Sequence, residues 1–271
     1  MNERNHYSLS GNAVDVYEQN IVPAVMAPFA KGLLEFADLK VGEHVLDVGC
    51  GTGILARFAW PFVAPSGRVV GVDLSAAMLA VARSKADEGR LPITWEHADA
   101  ASMPVPDRGF DAVLCQHGLQ YFPDRLAALN ETRRTLRPSG RLILNVWRPV
   151  QFNPGHAVFA NVLERLVSQP AAAERRAPFA LSDRDEIRNL MVKAGFREVV
   201  VPLDARVARL PSAEAMVRIM MAGSPLAAAM SETDPAVLQD VIAEVVKGLS
   251  EFEDDTCLAL PMQAWVVTAK A

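Results

Sequence analysis

Cysteine is scarce in this sequence, positive charge is in deficit, and no long apolar run occurs. The three cysteines, Cys50, Cys115 and Cys257, are odd in number and far apart, with no CxxC pair. That spacing argues against a disulfide framework and against a zinc site, and it suits a reducing cytoplasm. No stretch reaches the roughly 18 apolar residues that a membrane helix needs. The first ten residues are polar and carry no apolar signal-peptide core. Lys and Arg total 27 against 32 Asp and Glu, a net charge of −5. An acidic balance argues mildly against a nucleic-acid partner, since phosphate binding rests on Lys and Arg. Internal repeats and low-complexity blocks are also missing; Ala171-Ala172-Ala173 is too short to count.

What is there is ordinary globular material. Hydrophobic residues make up 51% and charged residues 22% of 271 positions. That supports one sizeable core, or one core with an appended lid.

The pattern along the chain predicts alternating strands and helices. Residues 11–39 read as helical, with Val14, Tyr17, Ile21, Val25 and Phe29 at helical spacing and Pro23 and Pro28 as breaks or kinks. Strands are expected at residues 44–48, 68–72, 93–96, 110–115 and 141–147. Between them lie helices at 54–60, ended near Pro61, at 75–88, capped by Ser75, and at 124–136. Strands separated in this way indicate a parallel sheet covered on both faces. After Trp147 the pattern loosens. Helices are expected near 158–167, over 182–194 with Ser182 or Asp183 as cap, and over much of 212–249. Further strands are expected at 196–201 and 263–269. The expected division is an N-terminal helical lid (1–40), an α/β core (41–150), and the rest of the core with cap insertions at about 151–181 and 211–250.

The chemistry concentrates at strand ends. Val45-Leu46-Asp47-Val48-Gly49-Cys50-Gly51-Thr52-Gly53 reads as a strand running into a glycine-rich loop before a helix. Glycines there allow a tight turn and a close ligand approach. Dinucleotide enzymes use a related turn, but their GxGxxG fingerprint would need glycine at 54, where Ile54 stands. Asp73 ends the second strand, placed to accept ribose hydroxyls and to repel a 2′-phosphate. Asp99 follows the third strand, and a loop follows Cys115 at the end of the fourth. Loops at the carboxyl ends of parallel strands converge on one crevice, so Asp47, Asp73, Asp99 and the loop after Cys115 are expected to face one cavity.

These residues resemble the class I S-adenosylmethionine-dependent methyltransferases, in the branch similar to ubiquinone/menaquinone-biosynthesis and small-molecule enzymes. The resemblance covers about residues 17–147 well and the rest loosely. It implies a doubly wound, Rossmann-like seven-stranded sheet, mostly parallel with the last strand antiparallel, under a helical cap. It also implies that Gly49, Gly51 and Gly53 line the methionyl part of S-adenosylmethionine. Asp73 would hold the ribose, and Leu74 and Met78 would lie beside the adenine. Asp99 would accept from the adenine amino group, Ala100 would contribute backbone, Gln116 a backbone carbonyl near the cofactor amine, and Tyr17 a lid contact. Pro61 departs from the pattern and should shorten the helix after the glycine loop.

The expected reaction is methyl transfer to an O, N or C atom of a small, lipophilic acceptor, by aligned displacement in a capped pocket. His117, beside Gln116, is the candidate general base, its ordinary pKa near 6.5 suiting that role. Tyr121, Trp147, Arg148, Phe152 and Met220 are candidate pocket residues, with Phe122 beside them. Met216, Met220, Met221 and Met230 fall in a late helical segment, where methionines adapt to apolar ligands or fill an irregular core. His44, His97 and Cys115 read as structural; a pyrimidine-C5 methyltransferase would want a cysteine after proline, and Leu114 precedes Cys115. The loop after Cys115 also lacks the Asn/Asp-Pro-Pro-aromatic tetrad of amino-directed DNA methyltransferases, which with the acidic balance argues against a nucleic-acid acceptor. Alternatives kept open are a nicotinamide-dependent oxidoreductase and a non-catalytic S-adenosylmethionine-binding regulatory or assembly protein. No metal is expected. Oligomeric state is not readable, and a homo-oligomer stays open.

Overall fold

The computed structural model describes residue 9, residues 12–223 and residues 233–271. Met230 lies outside the described residues. The chain forms two compact units. A sheet unit comprises Phe29–Trp147, Leu181–Asp204 and Ala264–Ala271, and a helical unit takes the described residues of 1–28, 148–180 and 205–263.

Among the described residues eight strands form one sheet: β1 (His44–Val48), β2 (Arg68–Asp73), β3 (Ile93–His97), β4 (Phe110–Gln116), β5 (Leu136–Trp147), β6 (Arg197–Val200), β7 (Leu203–Leu210) and β8 (Leu258–Lys270). Their order is β3-β2-β1-β4-β5-β8-β6, with β7 paired to β8 off this path. The first five are mutually parallel. β8 runs antiparallel between β5 and β6. The doubly wound, mostly parallel sheet is as expected, with one strand more than seven. β7 escaped notice because its pattern is inverted. Its buried positions are Asp204, Ala208 and Leu210, while Leu203 and Val207 stand about half exposed at 46% and 45%.

Alternation along each strand divides the core between two faces. Leu46, Val48, Val70, Val72, Val113, Leu142 and Leu144 pack on one side with Leu129, Ile187 and Met191. Val45, Val69, Ala112, Leu114 and Ile143 pack on the other with Leu33, Leu55, Ala59 and Val63. Burying a side chain of this size contributes about 1.5–3 kcal/mol, so both helical layers are held mainly by apolar contact.

Helices α1 (Ala27–Ala37), α2 (Ile54–Val63), α3 (Ala76–Glu88) and α4 (Arg125–Thr135) surround these strands. α1 continues helical turns that begin at Asn12, so Pro23 and Pro28 do not break the chain's course. Over Tyr17–Met26 the helix widens, and the Ala27 N–H donates to Val22 O, five residues back. A wider turn absorbs the missing N–H and the ring of Pro23. The second half of this helix belongs to the sheet unit rather than to a lid ending at residue 40. Arg141 on β5 fixes it there, with Nε donating to Ala37 O at 2.7 Å and the guanidinium gripping both Glu43 carboxylate oxygens.

Pro61 does not shorten α2, which runs on to Val63. Leu55, Ala56, Ala59 and Val63 are fully buried against the sheet, and that burial outweighs the roughly 3 kcal/mol that an interior proline costs. The expected caps form: Ser75 Oγ accepts from Met78 N, and Asp183 from Asp185 N and Glu186 N.

In the helical unit, Pro154–Leu166, Gln169–Arg176, Ala213–Ala222 and Pro235–Gly248 are helices. Phe159, Leu163, Met216, Val217, Met220, Val241 and Val245 are buried. Among the described residues, no helix is long and apolar enough to cross a membrane.

Candidate functional site

The carboxyl ends of the parallel strands β1 to β5 gather the sequence's chemistry on one sheet edge. The loop after β1 turns through three left-handed glycines, Gly49, Gly51 and Gly53, at φ 68°, 55° and 81°. Such angles strain any residue with a Cβ. Gly49 N–H and Cys50 N–H both donate to Val72 O, tying the loop to β2. A Cβ on Gly51 would meet nothing within 4 Å, whereas one on Gly53 would lie 2.3 Å from the Trp95 ring. The loop is therefore backed by indole at Gly53 and open at Gly51. That open space beside Asp73 leaves room for a ligand to approach the backbone at Gly51.

Two carboxylates organise the loop. Asp73 Oδ2 accepts the Gly51 N–H at 2.7 Å and Oδ1 the Ser75 N–H at 2.8 Å. Two backbone bonds leave about half of a carboxylate's lone-pair sites for ribose hydroxyls. Burial raises the Asp73 pKa, and the Ser75 and Gly51 bonds oppose that rise. Asp47 is fully buried, and its Oδ2 accepts the Ala56 N–H at 3.0 Å, so it caps α2 in place of a side chain at Gly53. Its Oδ1 and Thr52 Oγ have no partner among the described residues. Burial pushes the Asp47 carboxyl up to about 8.

The next strand ends carry the other expected cofactor residues. Leu74 is 45% exposed and Met78 is buried. His97 Nε2 donates to Leu74 O at 2.8 Å, the structural role expected for it. Asp99 is exposed, and its Oδ1 accepts the Ala101 N–H, shaping the turn around buried Ala100. Gln116 closes β4 opposite Asn145 of β5.

His117 follows at φ 49°, a left-handed angle uncommon for residues with a Cβ, although histidine adopts it more readily than most. Its N–H donates to Asn145 Oδ1 at 2.9 Å, and its ring stacks on Trp147 at 3.7 Å between centroids. Phe29 meets both rings edge-on. His117 is 5% exposed, neither ring nitrogen has a partner among the described residues, and burial lowers its pKa to about 3. A general base matched to neutral pH would sit near 7. The imidazole is thus neutral and a weak base. Tyr121 lies on the short turn Leu119–Tyr121, and Phe122 packs against Gly49 and Gly118.

The sheet unit therefore brings together Asp47, Gly49, Gly51, Gly53, Asp73, Leu74, Met78, Asp99, Ala100, Gln116, His117, Tyr121 and Trp147. Tyr17, Arg148, Phe152 and Met220 belong to the helical unit. There Arg148 bonds the Gln263 side chain and lies over the Phe152 ring at 3.7 Å. Met216 and Met220 are buried, and Met220 Sδ lies 3.3 Å from Arg175 Nη2.

Three residues went unremarked in the sequence. Trp95 was signalled by Gly71 inside β2, since a strand glycine marks a close approach, and the indole lies over it. Asn145 was signalled as the one polar residue in Leu142-Ile143-Leu144-Asn145-Val146-Trp147. Gln120, 5% exposed with no partner for its amide among the described residues, had no sequence signal. No cluster of three or more His, Cys, Asp or Glu that could hold a metal occurs among the described residues.

Comparison with known proteins agrees with this geometry. Residues 45–140 match a family model described as a methyltransferase domain. The demethylmenaquinone methyltransferase of Deinococcus radiodurans is 38% identical over 165 residues, 57% of this chain and 68% of that protein. The 2-phytyl-1,4-naphtoquinone methyltransferase of Synechococcus elongatus is 37% identical over 148 residues, 53% of this chain. The match spans 63% of that relative's length. A Haemonchus contortus phosphoethanolamine N-methyltransferase, solved with S-adenosylhomocysteine, shares the fold at TM-score 0.60 and 19% identity, covering 95% of this chain and 56% of its own.

The chain belongs to the class I S-adenosylmethionine-dependent methyltransferases. Within that family it falls in the branch of the ubiquinone/menaquinone-type enzymes.

Proposed function

We propose that this protein transfers a methyl group from S-adenosylmethionine to an O, N or C atom of a small lipophilic molecule, in the cytoplasm. The observation that carries the reading is the left-handed loop at Gly49, Gly51 and Gly53, open at Gly51 and bordered by Asp73. The quinone acceptors named for the relatives make a fused-ring acceptor the first to try. Net charge of −5 supports a small-molecule acceptor over nucleic acid.

The chemistry the cofactor supplies when bound is an activated methyl on positive sulfur, which leaves as the carbon–sulfur bond breaks and the acceptor's electron pair takes its place. The protein's own tasks are then holding and aligning. Gly51 leaves room for the methionyl part, Asp73 and Asp99 offer acceptors to the nucleoside, and Met78 gives an apolar wall. A carboxyl at Asp47 held near 8 is mostly protonated at neutral pH, so its second oxygen is a donor inside the loop. We assign His117 the part of a neutral hydrogen-bonding group, so a proton released by an O–H or N–H acceptor passes to solvent.

Calorimetry with S-adenosylhomocysteine and with NAD, followed by radiolabelled methyl transfer to naphthoquinols and simple phenols, tests the proposal. Micromolar binding of S-adenosylhomocysteine with labelled product is expected. Tight NAD binding without S-adenosylhomocysteine binding would refute it.

A further inference from the structure

Unmet hydrogen-bonding capacity collects around one point of the sheet unit. His117 is 5% exposed and Asn145 fully buried, and both imidazole nitrogens and Asn145 Nδ2 lack partners among the described residues. The two side chains form one cluster. Asn145 Oδ1 accepts the His117 N–H at 2.9 Å, so Nδ2 of the same carboxamide lies beside His117. Trp147, two residues after Asn145 on the same face of β5, stacks on the imidazole with ring planes 11° apart. Phe29 closes the edge of both rings.

Packing gives no reason for the three unpartnered polar atoms. A phenylalanine at 117 would make the same stack with no ring nitrogens to desolvate, and at 145 Oδ1 is used on the His117 N–H, which also donates to Asn145 O, whereas Nδ2 is not. The left-handed backbone at His117 adds strain. Stability forgone at a strand end, beside the cofactor edge, points to a ligand.

We propose that the His117 imidazole and the Asn145 carboxamide N–H are the polar contacts of the methyl acceptor, taking an uncharged hydroxyl or carbonyl oxygen on a planar apolar body. The inference rests on the methyltransferase reading above. A neutral imidazole offers one donor and one acceptor, and Asn145 adds a donor. That set matches a hydroxyl or carbonyl. A carboxylate or an ammonium would need a countercharge, and the neighbours Phe29, Trp147 and Asn145 provide none. Asn145 has two parts: Nδ2 contacts the acceptor, and Oδ1 positions His117.

The test uses the full chain saturated with S-adenosylhomocysteine and four probes of one shape. 2-Naphthol is the neutral hydroxyl, 2-methylnaphthalene has no polar group, 2-naphthoate is the anion and 2-naphthylmethylamine the cation. Calorimetry should show 2-naphthol bound about tenfold more tightly than the other three, the scale of one or two net hydrogen bonds. His117→Phe and Asn145→Asp should each remove most of that preference, while S-adenosylhomocysteine affinity stays within about twofold. Unchanged 2-naphthol preference in both variants, or no preference in the unmodified protein, would overturn the proposal. If S-adenosylhomocysteine itself does not bind, the methyltransferase reading fails first and the proposal with it.

Discussion

Alanine at Gly53 and alanine at Gly51 should damage the protein in different ways, although both glycines sit in one loop with left-handed backbone. At Gly53 a new Cβ would lie 2.3 Å from Trp95 Cη2, 2.9 Å from Cζ3 and 3.2 Å from the Ala82 Cβ. The indole is rigid and is already pressed over Gly71, where a Cβ would come within 2.5 Å of it. It therefore has little room to retreat. Left-handed strain costs about 1–2 kcal/mol and overpacking about 1–3 kcal/mol. The sum, about 2–5 kcal/mol, corresponds to a Tm loss on the order of 5–15 °C for a chain of this size. At Gly51 a Cβ would meet no atom within 4 Å, so only the strain remains, a loss of a few degrees. Its methyl would instead fill the cradle, and S-adenosylhomocysteine affinity should fall at least about tenfold by the cost of overfilling a close contact. Thermal denaturation without ligand and calorimetry with S-adenosylhomocysteine give the two readings. Gly51→Ala protein that binds S-adenosylhomocysteine like the unmodified chain would refute the assignment of that open space. Gly53→Ala protein as stable as Gly51→Ala would refute the role of Trp95.

Asp73→Ala should weaken S-adenosylhomocysteine binding by about 1.5–3 kcal/mol in calorimetry, the scale of hydrogen bonds to a charged group. Stability should also depend on pH at Asp47. Its folded pKa of about 8 lies above the unfolded value of 3.8, so the folded chain keeps a proton that the unfolded chain releases, and stability falls as pH rises towards 8. His117 and His156 act in the opposite sense: burial lowers both pKa values from 6.5, so they destabilise only as pH falls below that value. The interval from pH 6.5 to 8 lies above the histidine range, and Tm measured there should decline. Asp47→Asn, which keeps an acceptor for the Ala56 N–H, should flatten the decline; an equal slope in both proteins would contradict it. Pro61→Ala should restore a backbone bond inside α2 and raise the denaturation midpoint by the equivalent of about 1–3 kcal/mol; a lower midpoint would show that the proline is needed there.

The carboxyl edge of the sheet was legible because its geometry is local. Three glycines at spacing two and acids at the ends of successive strands specify a loop geometry within a few residues of each other. Ile54 in place of a third fingerprint glycine separated two ligand classes before any coordinates. What lay hidden depends on distant contacts. Nothing near Trp95 in sequence says that its ring backs Gly53, and Asn145 gains meaning only when β5 lies beside β4. Proline misled at Pro23 and Pro61, because local propensity counts the lost hydrogen bond but not the burial or the widened turn that offsets it. β7 was unreadable for a plainer reason: Asp204 faces inward and Leu203 outward, reversing the pattern by which strands are found. Met216, Met220 and Met221 lie on a helix as expected, but periodicity alone could not separate a core from a ligand surface.

β8 has a further consequence for the order in which the molecule is assembled. Of the eight strands it comes last along the sequence, yet it belongs between β5 and β6. Until it joins them β5 presents an open edge of backbone groups, and β6, whose partner is β8, stays unpaired. A nascent chain halted before Leu258 would carry a complete glycine loop beside an unsealed sheet, a surface that recruits chaperones or neighbouring chains. Cofactor affinity and solubility should thus be won at different moments of synthesis, the second only once β8 has joined the sheet.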